Sequence, residues 1–182
     1  MSNKIIIGGI VLGAVSLLIF GGRYSANDSV SRSASVHNGV ARGTASQNNL
    51  ASDFTLQKLG GGTITLSEFR GKKAVVVDFW ASWCPNCRRD MPKMNAMYPK
   101  YQDKVEIIGV NLQESESTVQ DFIASRGISF PIALDPSGHV SRAYGIQYTN
   151  THFLINKEGD LVRQIPGDIR ESDIISLIEQ NQ

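Results

Sequence analysis

The sequence predicts an α/β domain in which a central mixed sheet carries an antiparallel extension. Two largely apolar runs, residues 73–79 and 105–112, are typical of strands that are buried on both faces of a sheet. Segments with helical spacing of apolar residues separate these runs from each other and from the next strand. Short β-prone runs joined by glycine-containing turns lie near both ends of the region. These features predict the element order β-β-β-α-β-α-β-α-β-β-α.

The first half of the domain reads as a hairpin, a buried strand and a helix. Residues 54–56 and 63–66 are short strands on either side of the glycines at 60–62, and the strand 73–79 follows. A helix then begins at a cysteine motif. Its inward side chains share one face: Cys87, Met91, Met94, Tyr98 and Tyr101. Pro92 removes a backbone hydrogen bond from this helix, so we expect the helix to be interrupted and kinked there.

The second half begins with the buried strand 105–112. Residues 117–120, Ser-Thr-Val-Gln, form a capping-box pattern that is predicted to open a helix, and Gly127 is predicted to end it. A short strand over 130–134 and a helical turn over 140–144 follow.

The chain is predicted to close with a hairpin and a helix. Strands over 151–155 and 161–165 flank the turn sequence Asn-Lys-Glu-Gly at 156–159. The last helix is amphipathic, and its apolar face is built from four residues: Ile174, Ile175, Leu177 and Ile178.

The residues before this domain suggest a membrane segment and a tether. Residues 5–22 carry no charge, and a helix of this length spans about 27 Å, close to the hydrocarbon thickness of a bilayer. We therefore expect residues 1–22 to be an uncleaved anchor, with a cleaved signal segment as the alternative. Lys4 favours a cytoplasmic N-terminus, which places the folded domain, 51–182, outside the cytoplasm. Residues 23–50 are rich in small polar residues and are predicted to be a flexible linker.

Cys84 and Cys87 are the only two cysteines of the sequence, and they lie where the strand 73–79 passes into a helix. Their spacing allows a reversible disulfide. The partial positive charge at a helix N-terminus favours the thiolate, so an exposed Cys84 is the predicted nucleophile and Cys87 the resolving thiol. Pro85 suits the first helical turn, where its missing N–H is not needed.

Other functions for the pair are disfavoured by the sequence. A zinc site needs further ligands from His37, His139, His152 or carboxylates, and the histidines lack ligand spacing. A metal-binding or metal-delivery domain using both cysteines and a histidine is nevertheless the second hypothesis. A buried structural pair is a further alternative for the two cysteines, and a peroxidase is the third hypothesis. A peroxidase on the same fold would need a Thr-x-x-Cys nucleophile. The residue three positions before Cys84 is Ala81 instead of threonine. A formal net charge of +1 offers no electrostatic footprint for nucleic acid.

Two carboxylates are candidates for proton transfer. Asp78 lies within the apolar strand, where burial would raise its pKa and let it accept the proton of Cys87. The alternative is an aspartate that is bonded to the backbone at the strand end. Asp90 lies three residues beyond Cys87 on the same helical face and could serve the same role, or it could be an ordinary solvated acid.

Residues 77–87, Val-Asp-Phe-Trp-Ala-Ser-Trp-Cys-Pro-Asn-Cys, resemble the active-site segment of thioredoxins, and Pro92 matches the proline of their kinked helix. The resemblance is closest to the membrane-anchored TlpA/ResA-type thiol–disulfide oxidoreductases, and it runs from about Asp53 to the C-terminus. It includes residues 66–72 and 153–159.

The resemblance implies a thioredoxin-like fold with an N-terminal β-hairpin extension and extracytoplasmic dithiol–disulfide exchange with protein substrates. We expect no cofactor and no metal, and a reductase would be fed by a membrane electron donor. For some members, the resemblance implies service to cytochrome c maturation. It also places Asp78 at the buried-acid position of thioredoxins and Asp90 at the acidic position of the ResA-type branch.

One departure from the family lies in the loop that faces the cysteines. Asn150 stands where the family has a cis-proline, and a non-proline cis bond costs about 2.5–4 kcal/mol, so we expect a trans Thr149–Asn150 bond. The family uses this loop to offer backbone groups to substrate. The candidate substrate contacts are therefore Thr149 and Asn150 here, with Trp83 and Pro85 beside the thiols. Loss of the proline ring would also open the cysteines to metal, and His152 is interpreted as an ordinary strand histidine rather than a proton donor.

Overall fold

The computed structural model describes residues 49–180, which fold around one mixed seven-stranded sheet. Its strands are β1 (Thr55–Lys58), β2 (Thr63–Thr65), β3 (Ala74–Trp80), β4 (Val105–Leu112), β5 (Ile132–Asp135), β6 (Thr151–Ile155) and β7 (Leu161–Pro166). They lie in the order β2-β1-β5-β4-β3-β6-β7. The central strands β3, β4 and β5 are parallel, and both edges are completed by antiparallel strands. The predicted mixed sheet and its N-terminal hairpin are confirmed.

Four helices accompany the sheet within the described residues: α1 (Pro85–Tyr101), α2 (Glu116–Arg126), α3 (His139–Ala143) and α4 (Glu171–Glu179). A short 3₁₀ turn, Leu66–Phe69, follows β2. Apart from this turn, the predicted order of elements is confirmed along the whole described chain. No helix in this part of the chain is both long enough and apolar enough to cross a bilayer. The predicted anchor (1–22) and nearly all of the predicted linker (23–50) lie outside the described residues.

Strand β3 contributes to apolar layers on both faces of the sheet, because successive side chains of a strand point to opposite sides. Val76 and Trp80 belong to the layer that includes the inner face of α1, whereas Val77 and Phe79 belong to the layer on the other face. By this alternation, Asp78 lies on the same face as Val76 and Trp80, towards α1. The sequence of β3 therefore decides which layer receives its single charged residue.

The predicted interruption of α1 at Pro92 is wrong, whereas the kink predicted at the same residue stays a prediction. The helix runs without a break from Pro85 to Tyr101 and contains a second internal proline, Pro99. Each proline removes one intrahelical hydrogen bond, but the inner face of α1 is buried against the sheet through its apolar side chains. Burial of that face maintains the helix across both positions.

Two further local expectations need correction. The N-cap of α2 is Ser115 rather than Ser117, and its hydroxyl oxygen accepts a hydrogen bond from the Thr118 N–H at 3.2 Å. Gly127 ends this helix with φ +60°, as predicted. In α4, Ile175 is 40% exposed instead of lying on the apolar face, because this short helix buries only two of its apolar side chains. These are Ile174 and Leu177.

Candidate active site

The two cysteines lie at the N-terminus of α1, directly after the segment that follows β3. Cys84 is the N-cap residue, and Pro85 occupies the first helical turn. Cys84 and Cys87 are disulfide-bonded, with their Cα atoms 5.3 Å apart. The Cys84 sulfur also accepts a hydrogen bond from the Cys87 backbone N–H at 3.2 Å. When the bond is reduced, the same N–H and the positive end of the helix dipole would stabilise a thiolate on Cys84.

The two sulfurs differ in their access to solvent. Cys84 keeps 4% of its surface exposed, and Cys87 keeps none. The expectation of an exposed Cys84 is therefore wrong. Both cysteines belong to the buried apolar layer between the sheet and α1, which covers most of the disulfide. The order of accessibility is nevertheless clear: an incoming sulfur meets Cys84 first. Pro85 and the large ring of Trp83, 65% exposed, stand at the surface beside it.

On the sheet face that α1 covers, Asp78 of β3 lies directly opposite His152 of β6 in the antiparallel register. The Asp78 Oδ1 atom is 3.3 Å from the His152 Nδ1 atom, and both side chains are buried. Burial raises the pKa of the Asp78 carboxyl to about 6, against the lowering effect of the nearby His152. The direction of this shift agrees with the prediction made from the apolar sequence of the strand.

Asp90 completes a buried group of three titratable side chains. Its Oδ2 atom lies 3.2 Å from the His152 Nε2 atom and accepts a hydrogen bond from the Ile169 N–H, also at 3.2 Å. The alternative interpretation of Asp90 as a solvated helix acid is wrong, since the residue is fully buried. Burial lowers the pKa of His152, but the contacts with Asp78, with Asp90 and with the Gly167 backbone together outweigh burial, so that the pKa is raised.

His152 is the residue that the sequence analysis misjudged. It is no ordinary strand histidine, because each of its ring nitrogens faces a buried carboxylate. The available signal was the presence of one titratable residue in each of two largely apolar strands, at Asp78 and His152. That signal becomes decisive only when the strand register is known, because a shift of one residue would send His152 to the opposite face.

The loop before β6 adopts the predicted trans geometry, since no peptide bond between residues 49 and 180 is cis. Asn150 is buried, with φ +60°. Its N–H donates to the Phe79 carbonyl at 2.8 Å, and its own carbonyl accepts from the Gly167 N–H at 2.8 Å. Its side-chain amide donates to Asp168 at 3.3 Å. The polar groups of Asn150 are thus engaged within the protein rather than presented at the surface.

A groove of about 390 Å³ is lined in part by Trp83, the residue that precedes Cys84 in the chain. Trp83 forms one side, and Tyr148 and Thr149 from the loop before β6 form another. The ring of Tyr148 is 74% exposed, so two aromatic side chains flank the groove. The structure therefore brings Trp83 and Thr149 together at one groove, places Pro85 at the surface outside its lining, and buries Asn150 beneath the loop.

Glu114 is a second residue that the sequence analysis missed. Its carboxylate accepts hydrogen bonds from the Ser82 N–H at 2.7 Å, from the Ser82 hydroxyl at 2.5 Å and from the Asn111 side-chain amide at 2.7 Å. Ser82 lies two residues before Cys84, so Glu114 holds the segment that presents the nucleophile. Because Ser82 and Glu114 follow the ends of neighbouring parallel strands, β3 and β4, their approach at one sheet edge could have been predicted.

The metal-binding hypothesis gains no support from the part of the chain that the structure describes. Within residues 49–180, no three His, Cys, Asp or Glu side chains are grouped to hold a metal ion. His152 is held between carboxylates, and His139 lies on α3, 3.3 Å from Asp135. His37 lies outside the described residues.

The chain is similar to several known proteins. The model of the AhpC/TSA family matches residues 48–164. The thiol–disulfide oxidoreductase ResA of Halalkalibacterium halodurans is 40% identical over 139 residues, which cover 76% of this chain and 78% of the relative. ResA of Bacillus subtilis (strain 168) is 35% identical over 153 residues, which cover 81% and 85%.

Solved structures show the same likeness. A candidate DsbE thiol:disulfide interchange protein from Chlorobium tepidum superposes with a TM-score of 0.64 at 35% identity, covering 75% of this chain and 96% of that one. StoA from Bacillus subtilis superposes with a TM-score of 0.60 at 28% identity, covering 70% and 95%.

Proposed function

Because this chain belongs to the AhpC/TSA family, as a thiol–disulfide oxidoreductase of thioredoxin-like fold, we propose that it exchanges its Cys84–Cys87 pair with cysteine pairs of protein substrates. One observation carries the proposal: the paired sulfurs lie at the N-terminus of α1, and Cys84 is the one that an incoming sulfur can reach.

In the reducing direction, the Cys84 thiolate attacks one sulfur of a substrate disulfide and releases the other as a thiolate. A mixed disulfide then joins Cys84 to the substrate. The Cys87 thiol loses its proton and attacks the Cys84 sulfur, and the bond to the substrate breaks. Two electrons have passed from the enzyme to the substrate, and the enzyme holds the disulfide seen in the structure. The oxidising direction reverses these steps.

Asp78 is the proposed acceptor of the Cys87 proton, with Asp90 as its partner one helical turn from Cys87. Both carboxylates are buried on the face of the sheet that α1 covers, and the raised pKa of Asp78, about 6, suits a base that works near neutral pH.

The substrate is proposed to bind as an extended segment across the groove that includes Trp83. Trp83 and Thr149 line the groove, and Pro85 would contact the segment close to Cys84. Asn150 contributes indirectly, by fixing the shape of the loop that carries Thr149. This assignment rests on the exposure of Trp83 and Tyr148 and on the place of Trp83 directly before the nucleophile in the chain.

The proposed location is the outer face of a membrane, with residues 1–22 as the anchor. The charge-free run 5–22 supports this location, as does the chemistry, because disulfide exchange on protein substrates is typical of oxidising compartments. Acting as a reductase, the protein would take electrons from a membrane donor and reduce the disulfide of a Cys-x-x-Cys-His haem-attachment segment, which is the chemistry that cytochrome c maturation needs.

Trapping the mixed disulfide tests the thiol roles. In the reduced full chain, Cys87→Ser should accumulate a covalent adduct with a peptide that carries an oxidised Cys-x-x-Cys-His segment, whereas Cys84→Ser should form none. The wild type should reduce the peptide completely and leave no adduct. Full exchange activity in Cys84→Ser, or adducts formed through Cys87, would overturn the assignment.

Localisation needs a separate measurement. In cells whose wall and any outer membrane have been removed but whose plasma membrane is intact, an external protease should digest the folded domain. Extraction of isolated membranes with alkaline carbonate should leave the full chain in the membrane fraction. A matched chain that lacks residues 1–22 should remain in the cytosol. Protection of the full chain from protease would contradict the proposed orientation.

A further inference from the structure

Three titratable side chains from three different elements meet in the interior, where α1 covers the sheet. His152 lies between Asp78 of β3 and Asp90 of α1, at 3.3 Å from one carboxylate and 3.2 Å from the other. All three are at least 99% buried. Charged groups are rarely enclosed in this way unless they are paired, because desolvation of an isolated ion is highly unfavourable.

The geometry around the imidazole ring indicates its charge. A neutral imidazole carries one N–H and one lone pair, so one of the two carboxylates would face a lone pair. An imidazolium carries two N–H groups and can donate to both sides. Each ring nitrogen lies 3.2–3.3 Å from a carboxylate oxygen, which is ion-pair distance although neither contact has hydrogen-bond geometry. The positively charged ring is the form that two such carboxylates attract.

Other groups packed around His152 do not compete for this role. Strand β7 presents the apolar Ile165 opposite it in register. The loop after β7 carries Asp168, but that carboxylate is paired with Arg89 at 2.6 Å and with Lys93 at 3.2 Å near the surface. Among the described residues, Asp78 and Asp90 are therefore the charged side chains nearest the ring, and the Gly167 backbone also favours its protonated form. The Cys87 thiol, three residues before Asp90 on α1, is another titratable group on this helix near the carboxylate.

We propose that His152 is a positioning residue of the exchange reaction: as an imidazolium clamped between Asp78 and Asp90, it keeps Asp78 ionised and ready to take the proton of Cys87. This inference rests on the proposed role of Asp78 and adds a residue to it. In the resolving step, the Cys87 S–H bond breaks and its proton binds an oxygen of Asp78. The freed sulfur electron pair forms the bond to Cys84, and the substrate leaves as a thiolate. The imidazolium keeps its own proton throughout.

Without the His152 imidazolium, the Asp78 carboxyl should stay protonated to higher pH, and a protonated carboxyl cannot accept the proton of Cys87. His152 lowers the pKa of Asp78, whereas burial and the Asp90 charge raise it. In His152→Gln, burial and Asp90 remain without the opposing imidazolium, so Asp78 stays protonated up to higher pH and fewer molecules can accept the Cys87 proton at neutrality.

The experiment measures the resolving step against pH in the reduced full chain, in single turnovers with a disulfide that releases a fluorescent thiol. In His152→Gln, the acidic limb of the rate profile should move upwards by about one pH unit, with a several-fold loss of rate at about pH 6 that is recovered by about pH 8. The matched control His139→Gln, which changes the exposed histidine of α3, should leave the profile in place.

Each outcome decides a different point. If the wild type and His139→Gln perform no exchange, the proposed function itself fails. If all three proteins perform exchange and the His152→Gln profile superimposes on that of the wild type, the His152 inference fails alone. Should His152→Gln not fold, the ring nitrogen NMR shifts of His152 in the wild-type chain provide the test, because a neutral ring at pH 7 would overturn the inference.

Discussion

The backbone N–H of Asn150 donates a hydrogen bond to the Phe79 carbonyl at 2.8 Å, which fastens the loop before β6 to the end of β3. Asn150 holds φ +60°, a left-handed conformation that asparagine tolerates better than most residues. A proline has no N–H to donate, and its ring fixes φ near about −65°. The loop that faces the disulfide is therefore built for asparagine, at the position where the family resemblance implies proline.

Asn150→Pro should destabilise the folded chain by about 3 kcal/mol, because it removes the hydrogen bond to Phe79 and cannot adopt the observed φ. Urea unfolding of the oxidised full chain measures this change. Asn150→Gly is the matched control, since glycine keeps the N–H and accepts positive φ, and it should cost less than about 1 kcal/mol. Equal stability of the proline variant and the wild type would contradict the loop geometry.

Asp78→Asn should make the folded protein more stable than the wild type, by a difference that grows as the pH rises. The pKa of Asp78 is about 6 in the folded chain and 3.8 in its ordinary state, so the folded form binds more protons between these values. The contribution of this group to stability therefore falls as the pH rises through that window, and asparagine escapes the loss. We expect the variant to gain about 2 kcal/mol over the wild type between about pH 4 and about pH 6.

Unfolding by urea at several pH values measures this gain. The range stays below the ordinary pKa of histidine, so that His152 remains protonated and does not obscure the result. Asp121→Asn, at an exposed position of α2, is the control and should show no such trend. A stability difference for Asp78→Asn that does not change with pH would mean that the carboxyl titrates normally.

Glu114→Ala should loosen the segment that carries the nucleophile. The substitution removes the acceptor of three hydrogen bonds, two from Ser82 and one from the buried side chain of Asn111. We expect a loss of about 1–3 kcal/mol of stability, because the Asn111 amide is left without this partner, and slower exchange at Cys84. Glu114→Gln keeps one carbonyl acceptor in place and should lie between the alanine variant and the wild type. Unchanged hydrogen exchange at the Ser82 amide in Glu114→Ala would contradict this role.

Trp83→Ala should weaken the capture of protein substrates without weakening the fold. The ring is 65% exposed and lines the proposed substrate groove, so its loss removes contact area for substrate rather than core packing. We expect KM for an oxidised protein substrate to rise several-fold, with little change for a small disulfide that does not fill the groove. Ile175→Ala removes an exposed apolar side chain on α4 and is the control. An equal loss on both substrates would indicate damage to the chemistry instead.

Much of the fold follows from local patterns in the chain. The apolar runs of β3 and β4 and the glycine that ends α2 correctly predict the order of elements. The continuity of α1 through Pro92 was not predictable locally, because the helix persists through the burial of its inner face against the sheet. Ser115 was likewise missed as the cap of α2, since several serines and threonines near that point could serve equally well by sequence.

The sequence by itself determined the reactive pair: two cysteines one helical turn apart, after a buried strand, with Asp78 inside that strand. Only the tertiary structure decided which titratable side chains come together where α1 covers the sheet. Strand register places His152 opposite Asp78, and the seating of α1 on the sheet brings Asp90 to the other side of the ring. The physical reason is that helical and strand periodicities fix which face a residue occupies, whereas the approach of residues more than sixty positions apart depends on how those faces pack.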